Sequence, residues 1–486
     1  MQQLVTWARD VWPYLFTVLW IGSAAWVTVD AVLRKRHAHA AVGWIGLAWL
    51  APITGALAYY LLGINRIHRQ ATALERRAAT APAGSASRAL PAASGSSAFD
   101  PRHAGFAGLV RLGERVTRRP LYEGNHIEPL VDGDAAYPAM LAAIDAAQRS
   151  IGMVSYIFDN DFAGHLFRDA LARAVARGVE VRVLIDAVGS RYTNPTIVGE
   201  LHGAGVPVAT FLPTLVPRLF QYANLRNHRK VMVVDGHLGF TGGMNIRAGH
   251  WRARSPEDPL RCVHFRVKGP VVADMQQIFT TDWAFTTGER LAGAAWFPTL
   301  AQCGTVAARG VPDGPDDDID NLPQLLHGAL AVATRRVRIV TPYFLPDDGL
   351  LRALQVAALR GVEVDILLPE RSNVPLMDWA MTPQLPWLLE AGCRIHRVPA
   401  PFDHSKLCVV DGAWCLVGST NWDARSLRLN FEYNLECYDR GLAVQLDAII
   451  DDKIAVARPL RREDLEGRSF LVRLRDGLTR LLSPYL

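Results

Sequence analysis

The chain has 486 residues, half of them hydrophobic, and a formal net charge of +5. This length exceeds a single compact core and suggests roughly two to four domains. The charge fits attraction to an anionic surface but does not call for a nucleic-acid partner. Six cysteines without Cys-x-x-Cys spacing exclude a disulfide-rich secreted scaffold and favour reduced, buried thiols.

Two apolar stretches open the chain, at residues 11–29 and 40–65, and neither contains a charged residue. Each approaches or exceeds the roughly 20 apolar residues needed to cross a bilayer. Tryptophans near their ends, Trp12 and Trp44, suit the membrane interface. We predict a two-helix transmembrane hairpin over residues 1–70, with a signal peptide at the first stretch or buried soluble helices as the alternatives.

The basic residues around these stretches predict an orientation. The N-terminus and the segment after the second stretch carry more of them than the loop in between. The positive-inside bias therefore places the large C-terminal body in the cytoplasm. The basic residues compared are Arg9, Arg66, Arg69, Arg76 and Arg77 on that side and Arg34, Lys35 and Arg36 in the loop.

A low-complexity segment follows. Residues 79–100 consist mainly of Ala, Ser, Gly and Pro, a composition that gives no pattern for a packed core. We predict a flexible linker over residues 71–105. It either gives the body freedom to settle on a lipid surface or is a passive connection.

Beyond the linker the sequence repeats itself at a distance of about 180 residues, which fits a duplicated domain. In each copy an apolar run is followed by a helical stretch, an Arg-Gly-Val segment that begins at Arg177 or Arg360, and a second apolar run. Strand, helix, turn and strand is a βαβ pattern, which implies an α/β sheet in each half. We predict two α/β domains, at residues 106–300 and 301–486.

A motif of histidine, lysine and aspartate occurs once in each half. Both copies follow the pattern His-x-Lys-x-x-x-x-Asp, and a glycine-containing turn that ends in Asn245 or Asn421 comes soon after. One match is weak evidence, whereas two matches with similar flanks indicate one site built from two halves. The predicted catalytic residues are His228, Lys230, Asp235, His404, Lys406 and Asp411.

The lysines support this interpretation, because the chain otherwise uses arginine. Arginine offers a wide planar fork, whereas lysine is a compact charge on a flexible stem. Two of the few lysines occupy the same motif position, which favours a functional need for that compact cation over an ordinary pair of exposed lysines. The lysines of the chain are Lys35, Lys230, Lys268, Lys406 and Lys453.

Each motif passes from a loop into a short apolar run, and residues two apart on a strand point to the same face. The histidine and lysine of each motif can therefore converge on one anion. This set suits phosphoryl transfer, in which one histidine attacks phosphorus, the other handles protons and the lysines hold charged oxygens. Further hydrogen bonds can come from Asn245, Asn421 and the hydroxyls of Thr241, Ser419 or Thr420. Because no Asp, Glu or His cluster has convincing metal spacing, we predict neither a metal nor another cofactor.

From about residue 132 onward the chain resembles the phospholipase D superfamily, and within it the bacterial cardiolipin synthases. Besides the duplicated motif and the two apolar stretches, the resemblance rests on residues 341–344 (Thr-Pro-Tyr-Phe), 418–426 and 430–432 (Asn-Phe-Glu). It implies a pseudo-two-fold α/β sandwich with the site between the halves and a phosphohistidine intermediate. It also implies phosphatidylglycerol as substrate, a second phosphatidylglycerol as acceptor and glycerol as product.

The resemblance assigns roles residue by residue. It makes His228 the expected nucleophile and His404 the expected general acid and base, while near-symmetry leaves their order open. Glu432 matches a family glutamate that orients a motif histidine, with a surface carboxylate as the alternative. The expected substrate-binding residues are Asn245, Ser419, Asn421 and Glu432.

One departure from the family pattern lies in the first half. Family members often carry an acidic residue two positions before the histidine that corresponds to His264, and here that position is Cys262. Glu257 or Asp258 is an alternative carboxylate for this half. His264 itself is either functional or a buried structural histidine.

Two further segments bear on the membrane. Residues 470–482 combine an apolar stripe with Arg473 and Arg480 on the opposite side. We expect a helix packed on the body by its apolar face, with a helix lying on an anionic bilayer as the alternative. Residues 217–224, which include apolar and aromatic side chains, suggest a loop beside a lipid entrance.

These observations predict a membrane-bound phosphatidyltransferase of the bacterial inner membrane, with phospholipid and membrane as its partners and no nucleic acid. A hydrolytic phospholipase D or phosphodiesterase with water as acceptor is one alternative. A non-catalytic membrane scaffold is the other, although it has no need of both complete motifs. Assembly into a homo-oligomer is left open.

Overall fold

The computed structural model describes most of the chain, including both motif copies. The predicted linker, residues 71–105, lies outside the described residues apart from residue 105, and so does the predicted lipid-entrance loop, residues 217–224. The described residues are 2–35, 38–62, 105–213, 225–255, 257–315 and 318–483.

Three helices make up the described N-terminal unit: α1 (Gln2–Arg34), α2 (Ala38–Leu50) and α3 (Thr54–Leu62). The hydroxyl of Tyr59 donates a hydrogen bond of 2.6 Å to the carboxylate of Asp30, which ties α3 to α1. The buried side chains between these helices are mostly small, as Ala24, Ala31, Ala48 and Ala56 show.

The predicted hairpin is present in part. Within the described residues one helix, Val11–Arg34, is long and apolar enough to cross a membrane. The second predicted span, residues 40–65, is interrupted between α2 and α3. Pro52 has no N–H to donate and Ile53 has a φ of 62°, so the helical hydrogen bonding stops there. Two short apolar helices therefore take the place of a continuous second span.

The body, from α4 onward, is a mixed α/β structure. In the first half its elements are α4 (Ala107–Thr117), β1 (Tyr122–Val131), α5 (Asp132–Ala146), β2 (Ser150–Ser155), α6 (Phe162–Ala176), β3 (Glu180–Asp186), α7 (Ile197–Gly203), β4 (Val208–Phe211), β5 (Arg226–Asn227), β6 (Val231–Val234), β7 (Leu238–Gly242), β8 (Leu260–Arg261), β9 (Val263–Lys268) and α8 (Val272–Thr287). In the second half they are β10 (Val306–Asp313), α9 (Asn321–Val332), β11 (Arg336–Val340), β12 (Phe344–Leu345), α10 (Asp348–Leu359), β13 (Glu363–Pro369), α11 (Pro375–Met381), α12 (Leu385–Glu390), β14 (Arg394–Val398), β15 (Phe402–Asp403), β16 (Leu407–Val410), β17 (Trp414–Gly418), β18 (Trp422–Asp423), β19 (Asn430–Tyr438), α13 (Arg440–Val456), β20 (Arg458–Pro459), α14 (Arg462–Glu466) and α15 (Phe470–Arg480).

The duplication is visible in the order of the strands of the large mixed sheet. From its centre outward the first half contributes β1, β9, β7, β6, β2, β3 and β4, and the second half contributes β10, β19, β17, β16, β11, β13 and β14 in the matching order. The halves join where β1 pairs antiparallel with β10, with Tyr122 opposite Ala308. The predicted duplicated α/β fold is therefore confirmed, while the domain boundaries proposed from the sequence stay predictions.

The repeated Arg-Gly-Val segments end one helix in each half. Helices α6 and α10 stop before Arg177 and Arg360, and the glycines that follow, Gly178 and Gly361, have φ of 87° and 90°. Glycine adopts this left-handed conformation without strain, so it turns the chain from helix to strand. Arg177 also donates a hydrogen bond of 2.8 Å to the carbonyl of Ile144 at the end of α5. The fold alone explains this repeat.

Both motifs run into strands at the centre of their half-sheet. Strand β6 lies between β2 and β7, and β16 lies between β11 and β17. All four residues of each strand are buried. Runs of branched apolar side chains suit strands that are covered on both faces. The loops that precede β6 and β16, which carry the histidines and lysines, are therefore fixed by a rigid core.

Candidate active site

The two motifs meet at the boundary between the halves because each is hydrogen-bonded to the opposite half. The backbone N–H of His228 donates to the carbonyl of Phe431 (2.9 Å), and that of His404 donates to the carbonyl of Arg261 (2.8 Å). Short parallel pairs, β5 with β19 and β15 with β8, extend these contacts. Two segments that are distant in sequence are thereby held side by side.

Both imidazoles line one cavity of about 350 Å³. Asn245 and Asn421, from the turns that follow β7 and β17, line it as well. The structure thus brings together residues from both motif copies. Other polar residues of the cavity wall are Tyr156, Tyr192, Arg226, Arg247, His250, Tyr343, Asn373, Asp423, Arg425, Ser426 and Asn430.

A buried carboxylate from the other half holds the imidazole of His228. Its Nδ1 lies 2.8 Å from Oε1 of Glu432, whose other carboxylate oxygen accepts a hydrogen bond from the hydroxyl of Ser419. Burial raises the pKa of Glu432 to about 7. Burial, together with the charges of Lys230 and Lys406, lowers the pKa of His228. We assign the proton of a neutral His228 to Nδ1, which faces the carboxylate, and the lone pair to Nε2.

His404 has a different partner. Its Nδ1 lies 2.9 Å from the carbonyl oxygen of Gly243. A carbonyl oxygen only accepts hydrogen bonds, so Nδ1 carries the proton and Nε2 the lone pair. Burial and the charge of Lys406 lower the pKa of His404. Neither Glu257 nor Asp258, the alternative carboxylates of the first half, makes the contact to Nδ1.

Cys262 occupies the position in the first half that Glu432 occupies in the second. Strands β7 and β9 pair in the first half as β17 and β19 pair in the second, which makes His264 and Asn434 equivalent. Cys262 lies two residues before His264, and Glu432 lies two residues before Asn434. Burial raises the pKa of the Cys262 thiol to about 12, so the thiol is neutral at physiological pH. The duplicated fold therefore places a carboxylate behind His228 and a neutral carbonyl behind the other histidine.

The two lysines lie behind the histidines. Each ammonium group donates a hydrogen bond of 2.7 Å to the backbone carbonyl of its own motif histidine. Lys230 and Lys406 are buried and are not among the described residues that line the cavity. Burial lowers the pKa of both, that of Lys406 to about 8. That they hold the phosphate oxygens directly stays a prediction.

The structure places the side chains of Asp235 and Asp411 in backbone hydrogen bonds, and their catalytic role stays a prediction. The carboxylate of Asp235 accepts hydrogen bonds of 2.6 to 3.2 Å from the backbone N–H groups of residues 148–150. Asp411 does the same for residues 334–336 at 2.8 Å. A strand rises about 3.3 Å per residue, which puts each carboxylate roughly 15 Å along the chain from its motif lysine. These aspartates fix the turn at the far end of the motif strand.

The binding of substrate by Ser419 and Glu432 stays a prediction as well. Both side chains are fully buried, and neither is among the described residues that line the cavity. Their hydrogen bonds lead from Ser419 through Glu432 to His228. This chain of hydrogen bonds fits the orienting role that the resemblance implies for Glu432.

Asn245 and Asn421 are fixed at the cavity wall by their amide groups. The Oδ1 atom of Asn245 accepts a hydrogen bond of 3.1 Å from the N–H of Ile157. The Nδ2 atom of Asn421 donates one of 3.1 Å to the hydroxyl of Ser426. Both amides are thus rigidly held, and their binding of substrate stays a prediction.

Sequence reasoning missed several residues of the cavity. Tyr156 and Tyr343 each follow the strand that begins the βαβ unit of its half, β2 or β11, and both line the cavity. An aromatic residue repeated after that strand was a usable signal. Arg226 and Arg425 line the cavity too. His264, whose role was open, is buried but is not among the described residues of the cavity wall.

The charge at the cavity suits an anionic ligand. Three arginines, Arg226, Arg247 and Arg425, line it, and the two motif lysines lie directly behind. Asp423 is the exception, and burial raises the pKa of its carboxyl to about 6. In the described part of the chain no group of three or more His, Cys, Asp or Glu side chains is placed to hold a metal ion. The metal-free site stays a prediction.

A known protein family matches the chain once in each half. Residues 140–283 and 326–454 match the family model described as cardiolipin synthase, PLD-like domain. The chain is 32% identical to a cardiolipin synthase of Geobacillus kaustophilus (strain HTA426), over 97% of this chain and 94% of that protein. It is 31% identical to a cardiolipin synthase of Geobacillus thermodenitrificans (strain NG80-2), over 99% of this chain and 97% of that protein.

Among solved structures, a phosphatidylserine synthase of Haemophilus influenzae Rd KW20 has the same fold. The TM-score is 0.60 at 14% identity, over 78% of this chain and 100% of that one. Fold, duplicated motif and full-length relatives agree. The chain belongs to the cardiolipin synthase family of the phospholipase D superfamily.

Proposed function

We propose that this protein is a membrane-bound cardiolipin synthase, which moves a phosphatidyl group from one phosphatidylglycerol to another and releases glycerol. The observation that carries the proposal is the meeting of His228 and His404 at one cavity. The relatives of the chain are cardiolipin synthases. The positive charge around the cavity suits a phosphodiester, and the apolar helix Val11–Arg34 suits a membrane protein.

In the first step Nε2 of His228 attacks phosphorus, and the bond from phosphorus to the glycerol oxygen breaks. His404 donates a proton to that oxygen, and glycerol leaves. The ring of His228 gains positive charge as the phosphorus–nitrogen bond forms, and the carboxylate of Glu432 stabilises that charge. His404 has only a carbonyl behind it, which favours His228 as the nucleophile.

In the second step His404 accepts the proton of the headgroup hydroxyl of a second phosphatidylglycerol. The hydroxyl oxygen attacks phosphorus and the phosphorus–nitrogen bond breaks, which releases cardiolipin and restores His228. His404 must be protonated in the first step although burial lowers its pKa. A bound phosphodiester anion raises that pKa again, because a nearby negative charge favours the charged imidazolium.

The test is turnover of phosphatidylglycerol by the purified full-length protein in vesicles. Cardiolipin and glycerol in equal amounts are the expected products, whereas phosphatidic acid without cardiolipin would support the hydrolytic alternative. The variants His228→Ala and His404→Ala should each lower kcat at least about 10³-fold. Unchanged turnover in both variants would exclude both enzymatic functions and leave the non-catalytic membrane scaffold.

The order of the histidines is tested separately. After rapid denaturation at alkaline pH, mass spectrometry of peptides should find the phosphatidyl group on His228. A phosphatidyl group on His404 instead would exchange the two roles and leave the overall reaction intact.

We also propose a multi-pass protein of the bacterial inner membrane with its body in the cytoplasm. The apolar helix Val11–Arg34 and the distribution of basic residues support this placement. Protease should therefore digest the body in inverted membrane vesicles and spare it in right-side-out ones. The absence of a nucleic-acid partner stays a prediction, and assembly into a homo-oligomer stays open.

A further inference from the structure

The last helix of the body, α15, has its apolar side turned outward. Its buried side chains are the polar ones, Asp476 and Thr479. Sequence analysis expected the opposite, because an amphipathic helix normally packs its apolar side on the core. The apolar side chains of the helix and its C-terminal end that are between 46% and 74% exposed are Phe470, Leu471, Leu474, Leu478, Leu481 and Leu482.

Polar and cationic contacts hold α15 in this orientation. The helix packs against α11. The guanidinium of Arg475 lies 4.2 Å from the centre of the Trp379 ring, and that of Arg480 lies 4.6 Å from the centre of the Trp387 ring. The buried carboxylate of Asp476 pairs with Arg475 as well. Turning the apolar side inward would break all of these contacts.

The outward side has the composition of a helix that lies on a membrane. A helix turns about 100° per residue, so the exposed apolar side chains fall within an arc of about 120°. Arg473 and Arg475 lie at the two borders of that arc. Arg473 is exposed and makes no ion pair with the described residues. Long arginine stems can lie along apolar surface while their charged ends reach phosphates.

Helix α15 also lies next to the wall of the active-site cavity. Val374 and Met377, at the start of α11, line the cavity. Val374, the residue just before α11, is 37% exposed, and Leu376, in the first turn of α11, is 42% exposed. The exposed apolar residues of α15 and α11 therefore belong to two packed helices, one of which forms part of the cavity wall.

We propose that the apolar face of α15 binds the surface of a bilayer rich in anionic phospholipid and holds the cavity beside its lipid substrate. A bilayer is favoured over a second protein chain by charge, because residues 468–480 contain four arginines and one acidic residue. Anionic headgroups balance such a charge along a whole surface. The inference goes beyond the proposed reaction, since binding of α15 to lipid requires no turnover.

The first experiment places a fluorescent probe on the helix of the full-length protein. Replacing Cys303 by serine gives a suitable background, because the other cysteines are buried. A polarity-sensitive dye on Leu474→Cys should show blue-shifted emission in phosphatidylglycerol vesicles and be quenched by lipid that carries a doxyl group. Val444, which is 66% exposed on α13, gives the matched control Val444→Cys, whose dye should stay in water.

Two outcomes of this experiment overturn the inference. One is emission from position 474 that matches the water-exposed control. The other is a dye that is shielded from water but not quenched by lipid, which would mean that a second chain or the N-terminal segment covers the helix. The probe reports its own surroundings, so anchoring of the chain by α1 does not affect the result.

The second experiment uses the double variant Leu471→Asp/Leu474→Asp. It should lower turnover of vesicle phosphatidylglycerol at least about tenfold and leave turnover of dispersed short-chain phosphatidylglycerol within about twofold of wild type. Val444→Asp should change neither rate. If the wild type turns over neither substrate, the proposed function fails. If the wild type is active and the double variant matches it on vesicles, only the role of α15 fails.

Discussion

Oε1 of Glu432 and Nδ1 of His228 lie 2.8 Å apart across the boundary between the two halves. The opposite histidine, His404, faces a carbonyl oxygen, because Cys262 stands at the position equivalent to that of the carboxylate. A duplicated fold therefore contains an asymmetric site. This asymmetry suits a reaction in which one imidazole becomes positively charged by covalent bonding and the other only exchanges protons.

Glu432→Gln should lower kcat about 10²-fold, since glutamine keeps the shape of the side chain but removes the charge that supports His228. Burial raises the pKa of Glu432 to about 7, so the carboxylate prevails above that pH and the neutral acid below it. Wild-type kcat should accordingly fall as the pH drops below about 7. The pH profile of the variant should lack this acid limb, and an acid limb retained at the same pH would assign it to another group.

The alkaline limb of the pH profile of kcat/KM should reflect deprotonation of Lys406, whose pKa burial lowers to about 8. Its ammonium group loses its proton and charge as the pH rises through this value, so kcat/KM should fall there. A methyl group on Gly243 would approach Sγ of Cys262 to 2.8 Å and Cδ of Lys406 to 3.2 Å, which shows that the thiol and the lysine stem lie close together.

Cys262→Asp should therefore move the alkaline limb to higher pH, because a carboxylate beside Lys406 favours the protonated ammonium. Cys262→Ser, which adds no charge, is the matched control and should leave the limb near that of the wild type. Profiles of kcat/KM for the three proteins make the comparison. If Cys262→Asp does not move the alkaline limb, that limb does not report the deprotonation of Lys406.

The meeting of the motifs at one site could be predicted from sequence, because duplication and the spacing of two residues along a strand are local signals. The position of Asp235 in a turn could also have been predicted from the sequence. An Asp-Gly pair after an apolar strand is a hairpin signal, and both Asp235 and Gly236 have positive φ. Pro52 likewise marked the break in the second apolar stretch.

Other features depend on tertiary structure and could not be predicted from the residues themselves. Glu432 lies 204 residues from His228 in the chain, and only the resemblance to a family pointed to their contact. The periodicity of α15 shows that the helix has an apolar side but not what that side faces. The equivalence of Cys262 and Glu432 appears only when the strand pairs of the two halves are matched.

Gly243→Ala should lower kcat about 10²-fold by displacing His404, because small misplacements of catalytic groups are costly. The added methyl group would lie 2.6 Å from the carbonyl oxygen of His404, closer than atoms of a folded protein pack. Gly199→Ala is the control, since a methyl group there meets nothing within 4 Å and lies on α7. Equal kcat values for the two variants would show that the contact between Gly243 and His404 is unimportant.

Lys230→Arg should lower kcat/KM about 10²-fold even though the charge is kept. The Lys230 ammonium lies 2.7 Å from the carbonyl of His228 and 5.4 Å from the centre of the Tyr156 ring. The larger, planar guanidinium cannot occupy this buried space without moving one of these groups. Lys268→Arg, at an exposed position, should be neutral. Full activity of Lys230→Arg would mean that the site needs only a positive charge.

Asp235→Ala tests whether the motif aspartate is structural. The variant removes the acceptor for the N–H groups of residues 148–150 and puts alanine at a φ of 51°. Unpaired backbone donors, of which that of Ser150 is buried, and a strained backbone should together lower the free energy of unfolding by about 2–4 kcal/mol. Asp145→Ala, which breaks an exposed ion pair with Arg173, is the control and should cost less than about 1 kcal/mol.

Thermal unfolding of the Asp235→Ala and Asp145→Ala variants measures the difference, and kcat per folded molecule separates stability from chemistry. We expect the kcat of Asp235→Ala to stay within about threefold of wild type below its unfolding transition, because the carboxylate lies a whole strand away from the histidines. A fall in kcat comparable to that of His228→Ala, in protein that is still folded, would support the predicted catalytic role of Asp235. We do not expect that outcome, because a whole buried strand separates the charge of Asp235 from the motif histidines.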